Sequence, residues 1–280
     1  MISSHYASLV AAAFWTGFVP VLAGQTPDPV PDSSRYDWVI AGPQQVVGWF
    51  TFDPLGVADR LPESVRFTTV GELANAAIPW AVDYLVHHPS HQGWGVSFLE
   101  IVRADTFAID GRNPNWPTDG AAAVWFARVL PKDGTDQLGP GLPLLMLEFW
   151  VADAAYATFM RDRGYFATYA DVRFRQHGNR WDGSVIGADF SIRVACTPGG
   201  EQSGGPDSKG SQVLVPPKAS GLTTVVRITF AGHRERTCSE PSSWTILGHH
   251  PLTSAVAVEA ASFQSGYRLR GGVYARAPEP

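Results

Sequence analysis

The order of hydrophobic and polar residues predicts that most of the chain after residue 90 forms β-strands. The alternation is clearest in Leu222–Arg236, where hydrophobic Val226, Ile228 and Phe230 are separated by polar residues. Turn-forming Gly, Pro, Asn and Asp residues separate most of the predicted strands. The predicted strands are Tyr36–Ala41, Val46–Phe52, Trp94–Ile109, Ala121–Leu130, Leu142–Val151, Tyr169–Gln176, Ser184–Cys196, Leu222–Arg236 and Tyr267–Tyr274.

Two segments have helical rather than strand periodicity. Thr69 and Glu72 have the spacing of a capping box, and hydrophobic residues recur at helical intervals from there to Leu85. Pro79 lies inside that pattern, so we expect a kink or two short helices, with Pro79 in the first turn of the second. A further short helix is predicted over Asp153–Arg163.

The pattern is continuous, which predicts one β-rich domain over residues 36–280. Residues 24–35 are a Pro-rich, extended lead-in, and the Gly/Ser-rich segment 198–212 is predicted to be a flexible loop. Gly178-Asn179 reads as a hairpin turn. Because a sheet of this size must protect its edges, we expect it to close or to fold into two packed layers.

The N-terminus has the layout of a secretory signal peptide. Ser8–Leu22 carries no charge and is followed by Ala23, which completes the small-x-small pattern Val21-Leu22-Ala23. A buried helix or a short anchor is the alternative, but the apolar run is shorter than the roughly 20 residues that span a bilayer. We therefore expect residues 1–23 to be removed, a secreted or periplasmic protein, and no membrane contact afterwards.

The two cysteines agree with export. An isolated pair in an oxidising compartment tends to form one bridge, which predicts a Cys196–Cys238 disulfide. The alternative is two unrelated buried thiols.

Composition and motifs exclude several classes of function. A net charge of −5 with scattered basic residues argues against nucleic acid as a partner. The sequence has no G-x-S-x-G elbow and no phosphate-binding glycine loop, so neither an α/β-type serine hydrolase nor a nucleotide cofactor is expected. His87 and His91 have helical spacing, but Pro89 separates them, so no metal site and no other cofactor is predicted. Oligomeric state stays open.

Charged residues inside hydrophobic strands are the candidates for chemistry, because a buried charge is costly unless it is paired. Turned into a barrel, a carboxylate near an arginine can hold an acid or move a proton. The alternative for each residue is the solvent face of its strand, and for the ten tryptophans a place in the core. The predicted catalytic residues are Glu100, Glu148 and Arg173, and the predicted binding residues are Arg103, Arg175, Trp125 and Trp150.

The order of elements resembles the acetoacetate decarboxylase-like superfamily over about residues 90–275. The hydrophobic strand Leu142–Trp150 precedes a small helix, then Tyr165–Phe174 and a hairpin, and His249-His250-Pro251 precedes the last strand. The resemblance implies an α+β fold that is predominantly antiparallel β, a closed or cone-shaped barrel around a small polar cavity with a few peripheral helices.

The same resemblance implies a lysine Schiff base, and here the sequence departs from the family. A Schiff-base lysine needs an apolar site and a neighbouring cation to lower its pKa. The chain has three lysines, which are Lys132, Lys209 and Lys218. None of them lies in an apolar strand next to a second cation. Schiff-base chemistry is therefore not expected.

Three hypotheses follow. The first is an exported protein that binds or acts on a small organic acid, such as a keto acid, in a barrel pocket; if it is an enzyme, it is lyase-like. The second is a non-catalytic, lipocalin-like binder of a small molecule, and the third is a structural protein with a vestigial pocket. A polar interior cluster favours the first, an aromatic dry cavity the second, and a filled barrel the third.

Overall fold

The computed structural model describes most of the chain from Tyr36 onwards. The described residues are 36–109, 116, 120–132, 143–162, 167–199, 203–204, 209–215, 224–231, 234–258, 261–265 and 268–275. The predicted signal peptide and Pro-rich lead-in lie outside these ranges. No helix within the described ranges has the length and apolar character needed to cross a membrane.

The described residues form eighteen strands and three α-helices, with short 3₁₀ helices between them. The strands are β1 Tyr36–Ala41, β2 Gln44–Phe52, β3 Val65–Phe67, β4 Gly95–Arg103, β5 Thr106–Ile109, β6 Ala121–Pro131, β7 Pro143–Val151, β8 Ala167–Tyr169, β9 Asp171–His177, β10 Arg180–Ile186, β11 Phe190–Pro198, β12 Ser203–Gly204, β13 Lys209–Val215, β14 Thr224–Ala231, β15 Arg234–Gly248, β16 Val256–Ala257, β17 Ser262–Ser265 and β18 Arg268–Ala275. The α-helices are α1 Val70–Asn75, α2 Pro79–His87 and α3 Ala154–Asp162.

Ten of these strands form a nearly closed barrel, as the resemblance implied. Pairing runs from β2 through β4, β6 and β7 to β8, and the chain continues through Ala170 into β9. From β9 it passes through β10, β11, β15 and β17 back to β2. All of these neighbours are antiparallel except β7 and β8.

Hydrophobic side chains from every side of the barrel fill much of its interior. Leu99, Trp125 and Leu147 point inward and are almost fully buried. Phe174, Trp181 and Phe263 stack across one part of the interior, with successive ring centroids 5.1 Å apart. Each such side chain contributes about 1.5–3 kcal/mol by leaving water.

A second hydrophobic core lies against the outer face of the barrel. The strand row β13–β14–β18–β1–β5 begins beside β7 and, together with α3, covers this face. Val47, Phe98 and Val124 of the barrel wall pack here with Phe107 of β5 and Tyr156 of α3. The barrel strands beneath this layer therefore have two buried faces, which explains why β4, β6 and β7 are hydrophobic without alternation.

The predicted helices are confirmed, and their bounds are close to those predicted. Thr69 caps α1 with the predicted capping box to Glu72, and α2 begins at Pro79. The helix predicted over 153–163 is α3.

The strand prediction is wrong in several places. Trp94–Ile109 is divided into β4 and β5, and Leu222–Arg236 is divided between β14 and the start of β15. Ser184–Cys196 is not one strand, because β10 ends at Ile186 and β11 begins at Phe190. The strand β15 was not predicted beyond Arg236. The predicted loop 198–212 contains β12 and most of β13, whose Gly/Ser-rich backbone pairs with β15, β14 and β7. Pairing partners far along the chain, rather than local hydrophobicity, make these residues extended.

The predicted disulfide is confirmed. Cys196 of β11 and Cys238 of β15 are bonded, and both are buried in the barrel core.

Candidate functional site

Glu148 places a carboxylate inside the otherwise hydrophobic barrel. It lies opposite Trp125 in the β6–β7 register, so both side chains share the inner face. The register shifts by one residue between Trp125 and Phe126. Such a bulge re-aims neighbouring side chains and is common beside functional sites.

Arg60 reaches this carboxylate from the 3₁₀ helix Pro54–Arg60. Asp53 caps the start of that helix by accepting a hydrogen bond from Leu55 N at 3.0 Å. At its last residue, Arg60 donates through Nη1 to the Glu148 carboxylate and to the Leu147 carbonyl, the latter at 3.2 Å. A short capped segment thus fixes one guanidinium at one buried acid.

His250 approaches Glu148 from a different loop. Gly248 has a φ of +91°, and a Cβ there would lie 2.1 Å from the Asp189 carbonyl oxygen, so a residue without a side chain is needed for this turn. His250 Nδ1 accepts a hydrogen bond from Leu252 N at 3.1 Å, which caps the 3₁₀ helix Pro251–Ser254. In the neutral imidazole the proton is therefore on Nε2, which lies 3.9 Å from Glu148 Oε1.

Three aromatic rings pack against the imidazole. The centroids of Trp125, Trp150 and Phe190 lie 5.5, 5.6 and 4.8 Å from that of His250. The exposed fraction of the side chains falls from 27% for Arg60 to 13% for Glu148 and 4% for His250. Exposure therefore decreases through the cluster, from a part-exposed arginine to a buried histidine.

Burial shifts the proton affinity of both titratable groups. It raises the pKa of Glu148, which the guanidinium of Arg60 opposes. Burial and the positive charge of Arg60 lower the pKa of His250 to about 4, which Asp189 opposes. At neutral pH the site thus holds a neutral imidazole beside a carboxyl group that accepts protons more readily than an exposed one.

Two hydrogen-bond donors in this cluster have no partner among the described residues. They are Nε1 of Trp125 and Nε2 of His250, and both nitrogen atoms are buried. Buried N–H groups are paired in the great majority of cases. Two unpaired donors beside one carboxylate are therefore a feature of the site that needs an explanation.

The structure brings together three of the residues predicted from sequence, Glu148, Trp125 and Trp150. Glu100 lies on the opposite face of the barrel wall, between Val47 and Val124 of the neighbouring strands. It belongs to a polar row in the second core, in which Gln45 Nε2 donates to Gln264 Oε1 at 2.7 Å. The prediction that Glu100 and Glu148 share one site is corrected, because their side chains point to opposite sides of one sheet.

The predicted arginines also lie outside this cluster. Arg173 and Arg175 are exposed because Val172 and Phe174, which alternate with them, occupy the inner face of β9. Arg173 forms an ion pair with Asp171 across 2.8 Å from Nε to Oδ1. Arg103 is half-buried at the end of β4, opposite Ala121, away from the described contacts of Glu148.

Sequence reasoning did not identify Arg60 or His250 as site residues. The His249-His250-Pro251 phrase was visible, but a turn does not reveal which core its side chains enter. Arg60 lies in a segment without periodicity, and no local signal relates it to a strand 88 residues away. Gly248 followed by two histidines and a proline was the one usable sign of a tight, inward turn.

Comparisons with known proteins concern the fold. Neither a protein-family model nor a curated protein matches the chain. Among solved structures, acetoacetate decarboxylase from Legionella pneumophila is similar, with a TM-score of 0.51, 12% identity, and coverage of 89% of this chain and 92% of that one. A second acetoacetate decarboxylase structure has a TM-score of 0.53 and 7% identity, with coverage of 90% of this chain and 94% of that one. The enduracididine biosynthesis enzyme MppR complexed with pyruvate has a TM-score of 0.50 and 9% identity, with coverage of 92% of this chain and 93% of that one. The chain therefore has the acetoacetate decarboxylase-like fold.

His250 should make stability fall in acid. The unfolded chain takes up a proton at this histidine near its ordinary pKa of 6.5, whereas the folded protein takes it up only near pH 4. Stability is therefore lost as pH falls through this window, by about 3 kcal/mol in total. His250→Asn keeps a capping side chain and should remove this part of the slope, measured by urea unfolding at pH 4.5, 5.5 and 7. The exposed neighbour supplies the control, and a His249→Asn protein that flattens the slope equally would contradict the assignment.

Proposed function

We propose that this protein is exported and binds a small organic acid inside the barrel, where Arg60, Glu148 and His250 act on it. The observation that carries the proposal is the meeting of a part-exposed guanidinium, a carboxyl group and a buried imidazole inside an otherwise hydrophobic barrel. The resemblance in fold to acetoacetate decarboxylases supports a ligand of this size and chemistry.

Arg60 is suited to hold a carboxylate. Its described hydrogen bonds use Nη1, which leaves the Nε and Nη2 edge available to a ligand. A planar guanidinium binds a carboxylate through two parallel hydrogen bonds. The aromatic walls formed by Trp125, Trp150 and Phe190 exclude water from the rest of such a ligand and strengthen those bonds.

Glu148 and His250 can move a proton next to that carboxylate. A carboxyl group with a raised pKa is a stronger base than an exposed one, and it becomes an acid nearer neutral pH. The neutral imidazole of His250 offers its Nε2–H to a carbonyl oxygen or to Glu148. Removal or delivery of a proton at a carbon beside a carbonyl is the reaction type this pair supports. It becomes a lyase-like elimination when the electron pair of the broken C–H bond expels a leaving group from the next carbon.

The proposed chemistry does not use a lysine Schiff base. None of the ten described barrel strands contains a lysine. Lys132 is exposed in the turn after β6, and β13, which begins at Lys209, lies outside the barrel. The similar MppR structure contains pyruvate, which supports a small keto acid as one class of ligand to test here.

A non-catalytic binder is the second candidate, and the three aromatic rings around His250 favour it. Turnover distinguishes the two. An enzyme should exchange the carbon-bound hydrogens of a keto acid with deuterium from solvent, as followed by NMR, and should lose this exchange in Glu148→Gln. A protein that binds acids but never promotes exchange is the binder.

Binding itself is tested at Arg60. Acids that bind the native protein should bind Arg60→Gln at least about tenfold more weakly, since a charge-assisted hydrogen bond contributes about 1.5–3 kcal/mol. Isothermal titration with a panel of short carboxylic and keto acids measures this. Arg66→Gln is the matched control, because Arg66 pairs with Glu72 at the surface and outside the barrel.

Arg60→Lys separates loss of the site from loss of the fold. Lysine keeps the charge that compensates Glu148, so this variant should remain folded by circular dichroism and bind acids with intermediate affinity. Equal affinity in the native, Arg60→Gln and Arg60→Lys proteins would place the ligand somewhere else.

A further inference from the structure

We propose a second binding site, for an oxyanion such as phosphate or sulfate, on the outer face of the barrel where Arg128 of β6 lies beside Thr68. The Arg128 guanidinium and the Thr68 hydroxyl group are its two binding groups. The site is separate from the cluster of Arg60, Glu148 and His250, and it does not depend on the proposed function.

Arg128 and Thr68 are neighbours on adjacent segments of the chain. Phe67 of β3 pairs with Val129 of β6, and the next N–H, that of Thr68, donates to the Arg128 carbonyl oxygen at 2.9 Å. Phe67 and Val129 belong to the barrel core, so their side chains point inward. Because successive side chains of a strand alternate between faces, those of Arg128 and Thr68 both point outward, with Cβ atoms about 5 Å apart.

The guanidinium of Arg128 has no hydrogen bond and no ion pair with a described residue, and its Nε atom is buried. Burial lowers the pKa of Arg128, which the charge of Glu72 opposes. A guanidinium nevertheless stays protonated at physiological pH. A partly buried cation without a contact partner is costly, so the expected partner is an anion from outside the chain.

Glu72 acts on Arg128 only through its charge, because both of its carboxylate oxygens are engaged elsewhere. Oε1 forms an ion pair with Arg66 Nη1 at 2.5 Å. Oε2 accepts a hydrogen bond from Thr69 N at 2.9 Å, as part of the capping box that begins α1. Two arginines and one carboxylate therefore leave one positive charge without a contact partner here.

The Thr68 hydroxyl group is the second polar group without a partner. Thr68 is 2% exposed, and its Oγ1 atom is buried without a hydrogen bond to a described residue. Buried hydroxyl groups are hydrogen-bonded in the large majority of cases. Two unpaired polar groups on neighbouring residues indicate that one acceptor completes both.

These donors determine the class of ligand. The edge of a guanidinium donates two parallel hydrogen bonds to two oxygen atoms of one oxyanion, and a hydroxyl group beside it can donate a third. A chloride ion cannot accept all three bonds in this geometry. Because Thr68 is almost fully buried, the group that reaches it must be small. A free oxyanion or a terminal phosphate or sulfate group fits, whereas a flat polyanionic surface does not.

Isothermal titration of the native, disulfide-bonded chain with sodium phosphate at pH 7, with ionic strength held constant by sodium chloride, tests the site. Arg128→Met should weaken phosphate binding at least about tenfold, because it removes charge-assisted hydrogen bonds and keeps an aliphatic stem. Thr68→Val keeps the shape of threonine and should weaken it about fivefold. Glycerol 3-phosphate distinguishes the two sources of the anion, since a site for a terminal group binds this ester at least as tightly as inorganic phosphate.

Arg193→Met is the matched control. Arg193 is an exposed arginine of β11, opposite Ser184 and Thr245 of the neighbouring strands, and it has no ion pair with a described residue. Its replacement removes the same charge from another face and should leave the phosphate affinity unchanged. Urea unfolding gives a second measurement. Without phosphate, Arg128→Met and Thr68→Val should be at least as stable as the native protein, because each removes an unpaired polar group. Added phosphate should stabilise the native protein much more than Arg128→Met.

Three results would overturn the second site. They are a native protein that does not bind phosphate, equal stabilisation by sodium chloride at the same ionic strength, and equal weakening in Arg193→Met and Arg128→Met. Arg60→Gln separates this site from the barrel interior, because it should bind phosphate as tightly as the native protein. Phosphate binding that is lost in Arg60→Gln and kept in Arg128→Met would place the ion inside the barrel and would also overturn the second site.

Discussion

Glu100→Gln should be more stable than the native protein at pH 9, by roughly 5 kcal/mol, and within about 1 kcal/mol of it near pH 5. The carboxyl group lies between Val47 and Val124 on the outer face of the barrel, beneath the second layer of the fold. Burial raises its pKa to about 8, against a smaller opposing contribution from the hydrogen bond of Gln45.

The direction of the effect follows from where the proton is bound. The unfolded chain ionises Glu100 near its ordinary pKa of 4.5, whereas the folded protein keeps the proton until about pH 8. Between these values the unfolded state gains from ionisation and the folded state does not, so the free energy of unfolding falls as pH rises. Glutamine resembles the protonated acid in shape and cannot ionise. The free energy of unfolding of the variant should therefore not show this decrease with pH.

Urea unfolding of both proteins at pH 5, 7 and 9 measures the difference directly. Glu63→Gln is the control, because Glu63 is exposed in a turn and its replacement should leave the pH dependence unchanged. A Glu100→Gln protein whose stability runs parallel to that of the native protein from pH 5 to 9 would show that the acid is ionised in water at all three values.

This prediction also explains how a charged residue in a hydrophobic strand can mislead. Glu100 and Glu148 look alike in sequence, since each interrupts a hydrophobic run. Strand periodicity indicates only that alternate residues face opposite sides, and both sides of this barrel wall are buried. The local sequence does not indicate which of the two cores a side chain enters. The pairing register of β4, β6 and β7 determines it.

Arg173 and Arg175 show the opposite situation. Their strand alternates clearly, with Val172 and Phe174 on the inner face, so the exposed position of both arginines was derivable from the pattern. Alternation identifies the outer face where one side of a strand meets water. The arginine that the site does use, Arg60, arrives from a 3₁₀ helix without any such pattern.

The elements and the barrel were largely predictable, because each depends on local patterns and on the order of strands. The capping box at Thr69, the start of α2 at Pro79 and the bridge between the two cysteines are examples. The site depends on contacts between residues far apart in sequence, such as Glu148 with Arg60 and His250. These contacts are set by how the loops fold over the barrel, about which a single sequence carries little information.

The disulfide is the second change with a large expected effect. Cys196→Ala/Cys238→Ala should lower the free energy of unfolding by about 4 kcal/mol, because the cysteines are 42 residues apart and the bridge removes the freedom of that loop in the unfolded chain. The bridge joins β11 and β15 where their register shifts, between Ala195 and Thr197. Ladder hydrogen bonds are interrupted there, so the covalent link replaces local pairing.

Urea unfolding of the oxidised native protein and of the double variant measures the loss. Native protein in excess reductant should match the variant to within about 1 kcal/mol, which controls for the two small cavities that alanine leaves. Because the disulfide contributes so much to the free energy of unfolding, the stability of the protein should depend on its cellular compartment. In a reducing compartment the bridge would not persist. Equal stability of the oxidised, reduced and double-alanine proteins would show that the barrel does not depend on the bond, and it would remove the main structural support for proposing export.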